Sequence, residues 1–228
     1  MHADYARTLR KGIDLARATP STKVRAGAPT RYESPQTTHL SVLDAEGNAV
    51  SLTQSINYGM GAGVVVPNTG ILLNDTMDDF SAAPGTPNAY GLLGGEANAI
   101  AGRKTPLSSM TPTMVLRGGR LWLAWGSPGG STFITTVLHV LLGRVVLGLD
   151  LAAAVNAFRY HHQWMPDAIA LEAQRPGAPA TLAAELRARG HQVKGVPSLG
   201  NVHAVELSPD GARLGAADPR GDGTVAGH

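Results

Sequence analysis

Side chains alternate over Thr37 to Leu43 and again over Ala49 to Asn57, and the two runs are separated by the turn-rich stretch Asp44-Ala45-Glu46-Gly47-Asn48. Successive residues of a strand point to opposite faces, so two such runs joined by turn-formers predict a β-hairpin. Antiparallel strands of similar length place the end of the second beside the start of the first. Thr37, Ser55 and Asn57 are therefore expected to converge at one end of this hairpin.

The same punctuation recurs downstream. Thr113 to Leu116 and Leu121 to Trp125 flank Arg117-Gly118-Gly119-Arg120 and predict a second hairpin. Val202 to Leu207 and Arg213 to Ala217, around Ser208-Pro209-Asp210-Gly211, predict a third. The second delivers Gly126-Ser127-Pro128-Gly129-Gly130-Ser131, which opens an apolar helix from about Thr132. Consecutive N–H groups at a helix N-terminus make a site for negative charge. The apolar tract from Phe133 to Val155 is broken by His139, Arg144 and Asp150, which favours a buried helical layer over a membrane span. Further helix is expected over residues 3–17, Asp150 to Asn156 and Thr181 to Gly190, with short strands over Gly70 to Asn74 and Gln192 to Val196. Thr22 to Gln36 has no period and reads as an exposed connector, where a chain can be cut.

Composition narrows the function classes. With 228 residues, 43% hydrophobic and 16% charged, the chain can bury a sizeable core in about one to two units. Its net charge is +2, but Lys and Arg never form a run of the kind that tracks phosphates, which argues against nucleic acid as a partner. The absence of cysteine excludes disulfides, thiolate metal sites and cysteine catalysis together. Residues 1–10 carry His2, Asp4, Arg7 and Arg10 and no apolar core of a signal peptide.

Several local patterns invite chemistry. Gly59, Gly61 and Gly63 run into Val64-Val65-Val66 without a following Gly-Lys-Ser/Thr, so a phosphate loop is not supported and close backbone approach is. Asp75, Asp78 and Asp79 lack both the alternating spacing of a calcium loop and nearby histidines, so no metal is expected there. His161 and His162 face different ways and suit structural hydrogen bonds better than one shared ion. No cofactor is called for. Thr37 has a distinct possibility: a threonine freed at its own α-amine carries a base, with a pKa near 8, that can take the hydroxyl proton. Spacing alone does not separate Thr37 from other hydroxyl residues.

Taken in order, Thr37-Thr38-His39, Gly70-Ile71-Leu72-Leu73-Asn74 with Met77-Asp78-Asp79-Phe80, Pro106-Leu107-Ser108-Ser109-Met110, Gly126-Ser127-Pro128-Gly129-Gly130-Ser131 and His161-His162-Gln163-Trp164 resemble the small, catalytic subunit of γ-glutamyltranspeptidases. These are N-terminal-nucleophile hydrolases. The resemblance implies an α+β fold, the αββα four-layer sandwich of that superfamily, present here in part. Residues 1–36 would be the tail of the large subunit and cleavage linker, and 37–228 the small subunit. It further implies self-cleavage at Gln36-Thr37, after which Thr37 attacks a γ-glutamyl amide of the glutathione type. Ser55 would support the nucleophile, where the family usually has Thr, and Gly129 and Gly130 would supply the oxyanion hole. Asn57 and Asp79 match the positions that hold the donor's α-ammonium, and Ser108 and Ser109 those that hold its α-carboxylate. Pro84 to Gly95, centred on Tyr90, resembles the lid loop. Water or an amino-acid or peptide acceptor completes the reaction, the large subunit is the implied protein partner, and a periplasmic or secreted location is suggested on the same ground.

Two departures from the family pattern bear on function. Thr76 stands where relatives usually carry Gln or Glu that helps bind the α-amino group, and it is too short to reach as far. The arginine that clamps the substrate carboxylate belongs to the large subunit, and two serines do not replace a bidentate guanidinium. A related acylase acting on glutaryl β-lactam side chains is therefore a second reading, and an uncut, inactive structural half is a third. His39, Trp122, Trp125 and Trp164 are assigned, with the histidine pair, to packing and hydrogen bonding. A fragment of this kind should also expose apolar surface and self-associate.

Overall fold

The computed structural model describes residues 7, 10, 11, 37–81, 83, 85, 94–163 and 167–227. The chain divides into two compact units, residues 1–35 and 36–228. In the first, Arg7, Arg10 and Lys11 are helical, and the rest of the helix expected over residues 3–17 lies outside the described residues, as does the connector to Gln36. Trp164 lies outside them too.

The second unit begins with the hairpin β1 (Thr37–Leu43) and β2 (Ala49–Ser55). Its turn closes because Asp44 Oδ1 accepts from the N–H groups of Glu46 and Asn48 at 2.9 and 2.8 Å, while Gly47 takes φ +89°. Strands β3 (Thr113–Arg117), β4 (Arg120–Gly126), β8 (His203–Leu207) and β9 (Arg213–Ala217) form an antiparallel sheet in the order β3-β4-β8-β9. Between them in sequence come α1 (Phe133–Leu141), a π-turn over Leu142–Val146, α2 (Leu151–Asn156), β5 (Tyr160–His161), β6 (Ile169–Leu171), α3 (Leu182–Ala188) and β7 (Val193–Gly195). The strand expected over Gly70 to Asn74 does not form. Leu72 instead makes an isolated bridge to Val65, so this segment folds on its own loop.

The layers follow from which side chains need water removed. Trp125, Val137, Val140, Leu151, Val155, Val202 and Ala204 make the apolar core between the four-stranded sheet and α1/α2. Trp125 Nε1 donates to Val137 O of α1, satisfying the indole inside that core. The opposite face of the sheet meets the hairpin through polar groups: Ser51 Oγ donates to Trp125 O at 3.0 Å and Ser41 Oγ to His203 O at 3.1 Å. The hairpin's outward residues Leu40, Val42, Val50 and Leu52 remain exposed. Among the described residues no helix is long and apolar enough to cross a membrane.

Four buried charges tie the C-terminal part together. Arg159 pairs with Asp218 at 2.7 Å, and Arg220 with both Glu172 at 2.6 Å and Asp218 at 3.0 Å. Burial opposes the charge of Glu172 and Asp218, yet the arginines and backbone donors hold both below the ordinary carboxylate range. Those donors include Leu199 N on Glu172 and Val202 N on Asp218, so the network fixes both ends of the 199–202 loop.

Candidate active site

Thr37 opens β1 and pairs in register with Ser55, the last residue of β2. Their hydroxyl oxygens are 2.8 Å apart. Asn57 takes φ +72°, a left-handed conformation that asparagine tolerates, and its N–H donates to Ser55 Oγ at 2.9 Å. One lone pair of Ser55 is thereby committed, leaving its proton and second lone pair for Thr37.

The hairpin end is bound to the acidic turn. Tyr58 N donates to Asp75 Oδ1 at 3.0 Å, Asn57 Nδ2 to Asp75 O at 3.4 Å, and Tyr58 OH to Asp78 Oδ2 at 2.7 Å. Thr76 and Asp79 are half-buried ends of a 3-10 turn, Thr76–Asp79, and Thr76 N donates to Asn74 Oδ1. Burial, and then the neighbouring Asp78 and Asp75, push the Asp79 carboxyl above the usual range. A site of that kind favours an incoming cation. Among the described residues no cluster of ligands suits a metal ion.

Ser108 is exposed and its Oγ accepts from Met110 N, while Ser109 is half-buried. They reach the Asp79 segment through a residue that sequence patterning did not single out. Asn98 Nδ2 donates to Asp79 O at 2.7 Å, and Leu107 N donates to Asn98 Oδ1 at 2.9 Å. Of the loop Pro84 to Gly95, the structure describes Gly85, Gly94 and Gly95, with Gly85 N donating to Gly94 O. Tyr90 lies outside the described residues, and so does Gln36.

The glycine turn follows β4. Gly129 takes φ +143° and Gly130 φ +56°, and Gly129 O accepts from Thr132 N at 3.1 Å and Thr132 Oγ1 at 2.7 Å. The N–H groups at this start precede the first helical hydrogen bonds and are suited to an anion. Ser127, also missed from sequence, braces the turn: buried, it donates to Pro128 O and accepts from Asn201 N at 2.8 Å. Asn201 belongs to the loop held by the buried charges, so that network supports the glycine turn from behind.

His39 joins the hairpin to the end of β4. Buried, it hydrogen-bonds Thr53 Oγ1 at 2.8 Å and Ser41 Oγ at 2.9 Å. Ser41 spends its proton on His203 O, so His39 carries its hydrogen on Nε2 and accepts at Nδ1. Burial, helped by His203, pushes its pKa down to about 4, and the ring is neutral. His161 bonds Thr135 and Gln163 at 2.8 Å each, and His162 bonds Asp167 at 3.1 Å.

The family model described as gamma-glutamyltranspeptidase matches residues 1–228. The chain belongs to the γ-glutamyltranspeptidase family. It is 48% identical over 225 residues to the glutathione hydrolase proenzyme of Escherichia coli, covering 98% of this chain and 38% of the relative. The chain therefore spans less than two fifths of that relative's length. A solved γ-glutamyltranspeptidase from Pseudomonas nitroreducens, complexed with L-DON, superposes with a TM-score of 0.79 at 42% identity over 84% of this chain and 99% of that one. A cephalosporin acylase from Bacillus halodurans matches with a TM-score of 0.71 at 29% identity, over 99% of this chain and 39% of that chain. The fold is that of the N-terminal-nucleophile hydrolases. The hairpin and the four-stranded sheet are its two β layers, and α1 with α2 belongs to one helical layer.

Proposed function

We propose that the protein is a γ-glutamyl transferase or hydrolase made as a precursor, with residues 37–228 as its small catalytic subunit and residues 1–36 as the end of the large one. The observation that carries this reading is the 2.8 Å contact between Thr37 Oγ1 and Ser55 Oγ, at register-paired ends of a hairpin. While Gln36 is attached, the Thr37 nitrogen is an amide and has no basic lone pair. Self-cleavage begins when Thr37 Oγ1 attacks the Gln36 carbonyl carbon; the C–N bond breaks and the nitrogen takes a proton. Water then hydrolyses the resulting ester, releasing the Gln36 carboxylate and leaving Thr37 with a free amine as base.

In turnover the amine accepts the hydroxyl proton as Thr37 attacks the donor's γ-carbonyl. Gly129 and Gly130 N–H groups stabilise the tetrahedral oxyanion, and the leaving amine departs protonated. Water or an acceptor amine then takes the γ-glutamyl group from the Thr37 ester. Asn57 and Asp79 receive the α-ammonium, and Ser108 and Ser109 receive the α-carboxylate. Tyr90 lies in the loop assigned as a lid.

A second reading, a glutaryl-side-chain acylase, is favoured by the short Thr76 and by the likeness to the Bacillus halodurans acylase. Intact mass after incubation, with turnover of γ-glutamyl and glutaryl anilides, tests both. The leading reading expects loss of residues 1–36 and preference for the γ-glutamyl donor. Preference for the glutaryl donor would favour the acylase, and an uncut chain without turnover would identify an inactive structural half. A Thr37→Ala variant still cut at the same bond would overturn self-cleavage.

A further inference from the structure

Resting on the donor-site reading above, we propose that Asn98 is a positioning residue that fixes the separation between Asp79 and the Ser108–Ser109 pair, and through it selects a zwitterionic α-amino-acid head group. An α-ammonium and an α-carboxylate hang from one carbon. Two protein segments that bind them must hold their spacing to a few tenths of an ångström to bind both at once. These segments are far apart in sequence, and β-ladder pairing links neither to the other.

Asn98 bridges them from a 3-10 turn, Glu96–Asn98. Its Nδ2 donates to Asp79 O at 2.7 Å, and its Oδ1 accepts from Leu107 N at 2.9 Å, one residue before Ser108. Its own carbonyl accepts from Ser81 N at 2.9 Å, and Ala99 bridges Ser81, so Asn98 is itself anchored to the Asp79 side. The side chain is half-buried. The amide offers a donor and an acceptor at this reach, and the two partners fix which end is which. Aspartate is the same size, but it would present a carboxylate oxygen to the Asp79 carbonyl and lose the donor.

The consequence is a specificity, distinct from a general contribution to stability. A ligand with only the carboxylate needs only the serine side and tolerates drift between the segments. A ligand with both charges does not. Calorimetric binding of L-glutamate and of glutarate to the processed protein, its Asn98→Ala variant and its Asn98→Asp variant tests this. Both variants should lose about tenfold or more in L-glutamate affinity, Asn98→Ala through the loss of two hydrogen bonds and Asn98→Asp through the loss of the donor and the repulsion between its carboxylate and the Asp79 carbonyl, and less than about threefold for glutarate. Equal losses for the two ligands, or no loss for L-glutamate, would overturn the role of Asn98. If Asn98→Ala lowers the melting temperature too far to hold a fold, the isosteric Asn98→Asp decides alone. Failure of the unsubstituted protein to bind L-glutamate would overturn the donor-site reading itself, and this inference with it.

Discussion

Gly126 lies so close beneath the imidazole of His39 that a β-carbon on Gly126 would overlap the ring at Cε1 and Nδ1. The ring cannot swing aside cheaply, because both its nitrogens are bonded within the hairpin and it is buried. Gly126→Ala should therefore push the hairpin off the sheet and cost about 1–3 kcal/mol in overpacking. Thr37 lies two residues from His39 and Gly129 three from Gly126, so the same shift moves the nucleophile against the glycine turn. Thermal melting and the rate of precursor cleavage should both fall. An unchanged cleavage rate would disconnect this contact from the site.

A buried and a half-buried histidine predict acid sensitivity above the range where most carboxylates titrate. His39 and His139 are both pushed from 6.5 to about 4, His39 by burial and His203, His139 by burial and the nearby Arg159. A folded pKa below the unfolded one gives stability that is present above about pH 6.5 and lost as pH falls towards 4. Between those values each histidine should contribute a slope of about 1.4 kcal/mol per pH unit. Denaturant unfolding at pH 7, 6 and 5 should show this decline, and His39→Gln should flatten part of it. Constant stability from pH 7 to 5 would contradict the lowered pKa of both rings.

Much of this arrangement was readable because it is local. The contact of Thr37 with Ser55 follows from alternation and a five-residue turn, since register in a hairpin is set by its loop. Gly126 to Ser131 announced a tight strand-to-helix turn. The support behind that turn was not readable: Arg159, Glu172, Asp218 and Arg220 are spread over 62 positions and look like surface charges until folding buries them. Tyr160–His161 and Ile169–Leu171 are too short to show a period, so of their sheet only Val193–Gly195 was legible, within the strand expected over Gln192 to Val196. Asn98 sits in irregular chain, and its two partners are set by tertiary packing alone. Gly70 to Asn74 had a strand's composition but met Val65 within its own loop.

Asp79 should trade stability for binding. Burial and its two acidic neighbours raise its folded pKa above the unfolded value. The stability it contributes is present when it is protonated and is lost as pH rises through that folded pKa. At neutral pH the ionised group therefore costs stability, and Asp79→Asn should melt slightly higher than the unsubstituted protein. The difference should vanish in acid, where both side chains are neutral. L-glutamate should raise the melting temperature of the unsubstituted protein and leave that of Asp79→Asn unchanged. A variant that melts lower at pH 7 and still responds to L-glutamate would remove Asp79 from the ammonium site.

Ser55 gives the sharpest test of the nucleophile's setting. Its hydroxyl stands between Thr37 Oγ1 at 2.8 Å and the N–H of Asn57 at 2.9 Å, so Ser55→Ala removes both of these interactions. Losing those two interactions should slow both cleavage and turnover by about tenfold or more. Ser55→Thr keeps the hydroxyl and adds one methyl, and it should restore both rates to near those of the serine form. The measurement is a mass time course for release of residues 1–36, with anilide release from the cleaved protein. If the alanine variant matched the serine form in both, the 2.8 Å contact would be an incidental feature of strand pairing, and the base would have to orient Thr37 unaided.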